Sequence, residues 1–251
     1  MSAARNLVIV GCGRMGKLLR ETAEAKGHTV LAMVDKSNKD ALSKISSPVD
    51  AVIDFSHPDN LAWMLGYVRE KNAALICGTT GFDTSQRADI EALGKDVPVI
   101  YSANYSYGIA VFAALLEQIA PLLKDSFDME LIEAHHSQKQ DAPSGTAKLL
   151  LEKLDPAGSY ARVYGREGMT GKRGREIGVH AVRGGTVAGE HTVLFLGDHE
   201  RLEIKHTAES RQIFVNGALR AAEVLCTKPK GVYTMRDIIA AGTAERAENE
   251  G

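Results

Sequence analysis

Through the first hundred residues, short and wholly apolar runs alternate with stretches whose apolar side chains recur every three or four positions. The runs at Asn6–Val10, Thr29–Val34, 51–55, Ala74–Cys77 and 97–101 predict strands, and 15–26, 59–71 and Thr84–Leu93 predict helices. Strands apolar on both faces, with helices between them, call for a parallel sheet covered on both sides. The rhythm then changes to one long amphipathic helix at Tyr107–Leu123, a strand at 129–134 and a helix at Gly145–Leu154. From residue 177 strands follow one another without helices, at 177–182, 192–196 and 202–207. That pattern predicts a mostly antiparallel sheet, one face of which can be buried in another subunit. The segment 162–185 is rich in glycine and basic residues and has little periodicity, the mark of a functional or mobile loop. Helices at 211–225 and 235–240 are expected to pack back on the first domain, with a frayed tail at 244–251. The chain therefore divides into an α/β dinucleotide-type domain at 1–106, an α+β domain at 107–210, and C-terminal helices at 211–251.

Composition narrows the function classes. Thirty Lys and Arg against 32 Asp and Glu leave a formal charge of −2, so no global field points to nucleic acid or an anionic membrane. No apolar run approaches the roughly 18 residues of a membrane span, and residues 1–6 lead straight into the first strand with no secretory h-region. Three cysteines, widely separated and without CxxC spacing, favour a reduced, cytosolic compartment, with Cys77 and Cys226 packed as small hydrophobes.

Gly11, Cys12, Gly13, Arg14, Met15 and Gly16 follow a predicted strand and open a predicted helix, and Asp35 ends the second strand nineteen residues after Gly16. Glycines belong here because a Cβ would keep the backbone away from a pyrophosphate, which the helix N-terminus then holds with unpaired N–H groups. The strand, helix and acid together make this a Rossmann-like dinucleotide site. Asp35 suits a ribose 2′-hydroxyl and hence NAD, whereas Lys36 and Lys39 beside it suit a 2′-phosphate, so NADH and NADPH both stay open. Gly78, Thr79, Thr80 and Gly81 follow another strand and fit the nicotinamide end.

The densest chemistry lies at 133–147. His135 and His136 end a strand, Lys139 follows three residues later, and Pro143, Ser144, Gly145 and Thr146 start a helix. With Asp141 or Ala142 as cap and Pro143 in the first turn, Ser144, Gly145 and Thr146 present free N–H groups to an anion, and Gly145 allows close approach. Such a turn suits a substrate carboxylate, each dipole contact adding about 0.3–1 kcal/mol. Two imidazoles and an ammonium alongside point to proton transfer, typically about 10²–10⁴ in rate. Zinc is the rival reading, but no cysteine is near and the spacing is not that of a zinc site. Other dehydrogenases of small carbonyl or imine acids, and a nicotinamide-binding sensor without turnover, remain as alternatives; a sensor has no use for proton donors beside an anion cradle.

These residues resemble the dihydrodipicolinate reductase family over nearly the whole chain. The resemblance rests on 11–16, Asp54-Phe55-Ser56, 78–82, 103–106 and above all 133–147, and continues in Gly189-Glu190-His191-Thr192, Arg201-Leu202-Glu203-Ile204 and Met235-Arg236-Asp237. It implies hydride transfer from NAD(P)H to a cyclic conjugated imine dicarboxylate, without a metal, in the diaminopimelate route to lysine. It implies His135 as proton donor and acceptor, Lys139 as second proton donor, His136 as a substrate contact, and Gly145 and Thr146 as the carboxylate cradle. It further implies cofactor contacts from Gly11, Cys12, Gly13, Arg14 and Met15, from Asp35 and Lys36, from Gly78, Thr79 and Thr80, and from Ser102, Ala103, Asn104 and Tyr105. A homotetramer sharing the second domain's sheet is implied as well. Two departures stand out: the first glycine loop is one residue shorter than in many members, and Asp35-Lys36 replaces a common acid–Arg pair. A lysine lacks the planar fork that grips a phosphate.

Overall fold

The computed structural model describes residues 3–250, the side chains of 243–250 excepted. It consists of two compact units, one of residues 1–107 with 212–251 and the other of 108–211. In chain order the first unit supplies β1 (Asn6–Val10), α1 (Arg14–Ala25), β2 (Thr29–Val34), β3 (Ala51–Asp54), α2 (Leu61–Lys71), β4 (Ala74–Cys77), α3 (Thr84–Leu93) and β5 (Pro98–Tyr101). The second follows with α4 (Tyr107–Leu123), β6 (Asp128–His135), α5 (Gly145–Leu154), β7 (Ala161–Val163), β8 (Glu176–Arg183), β9 (Gly189–Gly197) and β10 (Glu200–Ala208). The chain then returns to the first unit with α6 (Gln212–Leu225), β11 (Gly231–Tyr233) and α7 (Met235–Glu250).

The first unit is a six-stranded, wholly parallel sheet in the order β11-β5-β4-β3-β1-β2. Val8, Ile9, Val52, Ile53, Leu75, Ile76, Val99 and Ile100 are all fully buried, as a sheet covered on both faces demands. Each such side chain contributes about 1.5–3 kcal/mol, and truncating Ile53 to alanine would cost about 2–5 kcal/mol. The sixth strand, β11, went unseen in the sequence, because three residues carry no periodicity. Strand order reverses between β1 and β3, and ligands of open α/β sheets bind outside the carboxyl ends at such a point. The two loops leaving those strands touch there: a Cβ on Gly11 (φ +118°) would overlap the Phe55 carbonyl oxygen.

The second unit is a five-stranded sheet in the order β10-β9-β6-β8-β7. Its sheet is mixed: β6 pairs antiparallel with β9 and β9 with β10, whereas β6–β8 and β8–β7 are parallel. The expected antiparallel run therefore holds only on the β9 side. The reason is two return connections: α5 carries the chain back after β6 to begin β7, and residues 164–175 carry it back again to begin β8, so all three strands run the same way. The α4 and α5 helices close one face over Met129, Leu131, Ile177, Val179, Val193 and Phe195. The opposite face carries Ile132, Val182, Leu194 and Leu196 among Glu130, His180, Glu190 and Lys205, and all four apolar side chains there are partly or well exposed.

The glycine- and arginine-rich loop is shorter than expected, since β7 and β8 reduce its irregular part to 164–175. Arg166 binds Glu130 and Glu176, and Arg173 binds Glu130, Asp128 and the Met129 carbonyl. A Cβ at Gly178 would overlap the Glu130 carboxylate, so glycine lets that carboxylate sit where Arg166, Arg173 and His180 bind it. The last helix also exceeds expectation. The segment expected to be frayed lies within α7 as far as Glu250, there being no proline to stop it, and Gly251 lies outside the described residues.

Candidate active site

In the first unit, Gly13 is the N-cap of α1 and makes no side-chain cap, and the first turn holds no acidic residue. The first helical hydrogen bond is Lys17 N–H to Gly13 O at 3.1 Å, so the preceding N–H groups are left for a ligand. A Cβ on Gly16 would overlap the Gly11 carbonyl oxygen, so Gly16 is needed for packing, whereas a Cβ on Gly13 would meet nothing within 4 Å. Packing thus does not demand glycine at 13, and the space over it is open to a ligand. That open cradle at a helix N-terminus fits a dinucleotide.

Asp35 lies at the end of β2, where its Oδ1 accepts from Ser37 N (2.8 Å) and Oγ (2.5 Å), and the Ser37 hydroxyl bond holds its carboxyl below the usual range. Lys36 is exposed and its Nζ donates to Asp59 Oδ2 at 2.9 Å. Lys39 is exposed in a 3-10 turn. Cys12 Sγ is 3.7 Å from the Met33 carbonyl oxygen, and burial, then Asp35, pushes its thiol up. Arg14 is exposed and Met15 partly so.

The loops after β3, β4 and β5 are braced by one network. Buried Asp54 accepts from Ser56 Oγ (2.5 Å) and Cys77 Sγ (3.3 Å), and Asn60 Nδ2 donates to Ser56 Oγ at 3.0 Å. Burial raises the Asp54 carboxyl, with the Ser56 hydrogen bond opposing. Thr79 Oγ1 is occupied by the Ser56 N–H at 2.7 Å, Thr80 is exposed, and Gly78 is partly exposed, with the Phe55 ring where a Cβ would stand. Ser102 N–H donates to the Cys77 carbonyl, and its Oγ closes a turn with Asn104. Ala103 is exposed, but Tyr105 is 1% exposed and its hydroxyl lies on the Cys77 and Ile100 carbonyls. The Tyr105 side chain therefore belongs to the core and offers a ligand nothing beyond backbone.

In the second unit, strand alternation puts Glu133 and His135 on one face of β6. His135 Nδ1 lies 2.5 Å from Glu133 Oε2. Arg183 of β8 grips both Glu133 oxygens at 2.8 and 2.7 Å, and Ser144 N–H donates to Oε1 at 3.0 Å. Burial opposes the Glu133 charge, yet Arg183, His135 and Ser144 outweigh it and hold the carboxyl below its usual range. A charged Glu133 takes the Nδ1 proton, which leaves Nε2 of His135 as the exchanging position. A Cβ on Gly189 would come within 3.1 Å of that nitrogen, so glycine keeps it uncrowded. Burial lowers the imidazole's affinity for a second proton, with Glu133 opposing and Lys139 adding to the fall. Lys139 itself lies 2.7 Å from Asp141 Oδ1, while His136 is partly exposed and its carbonyl accepts Lys139 N–H.

The helix start differs from expectation. Ser144, not Asp141 or Ala142, is the N-cap of α5, accepting Ala147 N–H at 3.1 Å. Pro143 precedes the cap, after a cis Ala142–Pro143 bond. Ser144's N–H is spent on Glu133 and its Oγ lies 3.0 Å from His191 Nε2, so Ser144 is not a free anion donor. Gly145 is exposed with nothing within 4 Å of a Cβ, and Thr146 is partly exposed. These two positions form the start of the first turn of α5. Sequence reasoning assigned no role to Glu133, Arg183 or His191. Glu133 was within reach, as it lies two residues before His135 in a strand; the other two come from β8 and β9. Among the described residues no group of three His, Cys, Asp or Glu is set to hold a metal ion, and no helix is long and apolar enough to cross a membrane.

Comparison with known proteins covers both units. Residues 5–105 match the family model described as dihydrodipicolinate reductase, N-terminus, and residues 108–239 match its C-terminus counterpart. A 4-hydroxy-tetrahydrodipicolinate reductase of Exiguobacterium sp. AT1b is 44% identical, over 93% of this chain and 95% of that protein. One of Clostridium novyi is 39% identical, over 93% and 97%. The solved dihydrodipicolinate reductase of Paenisporosarcina sp. TG-14, with dipicolinate bound, has the same fold at a TM-score of 0.74 and 23% identity, over 92% of this chain and 98% of that one.

Proposed function

The chain belongs to the dihydrodipicolinate reductase family, and from that premise we propose that it reduces 4-hydroxy-tetrahydrodipicolinate to tetrahydrodipicolinate with NADH or NADPH, in the diaminopimelate route to lysine. The observation that carries the reading is the joining of a Glu133-held imidazole, Lys139 and the first turn of α5 within one unit. After loss of water from the substrate, the conjugated imine needs one hydride and one proton. A reduced nicotinamide, when bound, supplies the hydride. Gly11, Gly13 and Gly16 shape the phosphate cradle, and the loops at Gly78–Thr80 and Ser102–Asn104 line the rest of the cofactor site. Asp35 holds the ribose hydroxyls. Lys36, already paired with Asp59, adds charge beside a 2′-phosphate without enforcing NADPH.

Gly145 and Thr146 take one substrate carboxylate, and His136 with Lys139 takes part in holding the other. His135 delivers the proton from Nε2, with Glu133 steadying the imidazolium from the far side, and Lys139 serves as second donor. The open face of the second unit's sheet meets its counterpart in a homotetramer. The test is loss of NADH or NADPH absorbance when the purified protein meets the product of the preceding condensation enzyme. Turnover with at least one cofactor is expected; none with either would remove the reading.

A further inference from the structure

Glu133 of β6, His191 of β9 and His206 of β10 stand in one cross-strand row. His191 is 4% exposed and touches both halves of the proposed substrate site. Its ring packs edge-on to His135, centroids 5.2 Å apart, and its Nε2 lies 3.0 Å from Ser144 Oγ. From there a chain of hydrogen bonds continues through Ser144 N–H to Glu133 and through Glu133 to His135 Nδ1. We propose that His191 is a positioning residue: by holding Ser144 it locks the N-terminus of α5 to the Glu133–His135 pair, so that carboxylate cradle and proton donor keep one fixed geometry. The proposal rests on the reading of His135 and α5 given above.

The choice of side chain supports this. Ser144 Oγ, which also accepts Ala147 N–H, shares a hydrogen bond with His191 Nε2, and burial keeps the imidazole neutral. The other ring nitrogen, Nδ1, is buried without a hydrogen-bond partner. An orphaned ring nitrogen costs stability, so packing alone does not select histidine here; the bond to Ser144 does. Neutrality also matters. His191 faces His135, Glu133 and Lys139 of the β6 segment and His206 of β10, with Arg183 of β8 on the same carboxylate, and a second cation there would oppose protonation of His135.

The test compares His191→Leu with His191→Gln, whose amide reaches as far as Nε2. For His191→Leu we expect kcat/KM for the dicarboxylate to fall at least tenfold while the Kd for NADH, read by fluorescence, stays within twofold. The alkaline limb of the pH profile should move up by about half a unit, since Glu133, relieved of the Ser144 N–H, holds the imidazolium more tightly. His191→Gln should recover both activity and limb. An active wild type with an unaffected His191→Leu, or a loss that leaves the pH profile in place and that glutamine does not rescue, would overturn this inference alone. An inactive wild type would overturn the function beneath it and this inference too. Should His191→Leu not fold, a cycle of His191→Met, which cannot hydrogen-bond Ser144 Oγ, with Ser144→Ala and the double variant decides: coupled effects are expected, and effects that simply multiply would overturn it.

Discussion

His135 shows how little a titratable residue means without its partners. An exposed imidazole changes charge near pH 6.5; here burial disfavours the imidazolium and Glu133 favours it, so the proton is held loosely and in a fixed direction. Lys139 stands apart from the buried pair, its ammonium 2.7 Å from Asp141. Lys139→Ala is expected to lower kcat at least tenfold, a general-acid contribution of ordinary size, while NADH binding by fluorescence stays unchanged. Equal turnover would reduce Lys139 to a surface charge. The residue types of this cluster were legible in the sequence because they are crowded into fifteen positions. The spending of Ser144's N–H on Glu133 was not, because it joins residues eleven apart across a strand and a helix start.

Two elements, α1 and α5, begin with glycines over which a Cβ would meet no neighbour, Gly13 and Gly145. Gly13→Ala should therefore fold normally, with a melting temperature within about two degrees of wild type, yet bind NADH and NADPH at least tenfold more weakly by fluorescence titration. Unchanged affinity would show that the α1 terminus holds no phosphate. Strand β9 makes a different prediction. Burial pushes His191 down to about 4 from an ordinary 6.5, so the unfolded chain binds a proton between those values that the folded chain refuses. The resulting stability is complete above about pH 6.5 and is lost as pH falls towards 4, on the order of 3 kcal/mol in all. Burial lowers His135 and His206 as well, adding in the same direction. Melting temperature should drop between pH 7.5 and 5, and by less in His191→Gln. An equal drop in both proteins would show that another group titrates.

At the scale of the molecule, the exposed Val182 and Leu196 mark the sheet face assigned to the tetramer. Light scattering should give about four chains for the native protein, and Val182→Asp combined with Leu196→Asp should yield smaller species. A native mass of one chain would end that assignment. What the amino-acid sequence determined alone was everything that local periodicity and crowding encode: the parallel strands buried on both faces, most helices, the glycine loop before α1 and the proton-active segment at 133–147. Those signals survive in one dimension because strands alternate, helices repeat and the loop's chemistry is contiguous. Only the tertiary structure decided the pairing of β8 with β6, the burial of Tyr105, the cap at Ser144, and the convergence of Arg183 and His191 on Glu133. Each depends on which strand lies beside which, a choice that burial and backbone hydrogen bonding settle over the folded unit and not within any stretch of chain.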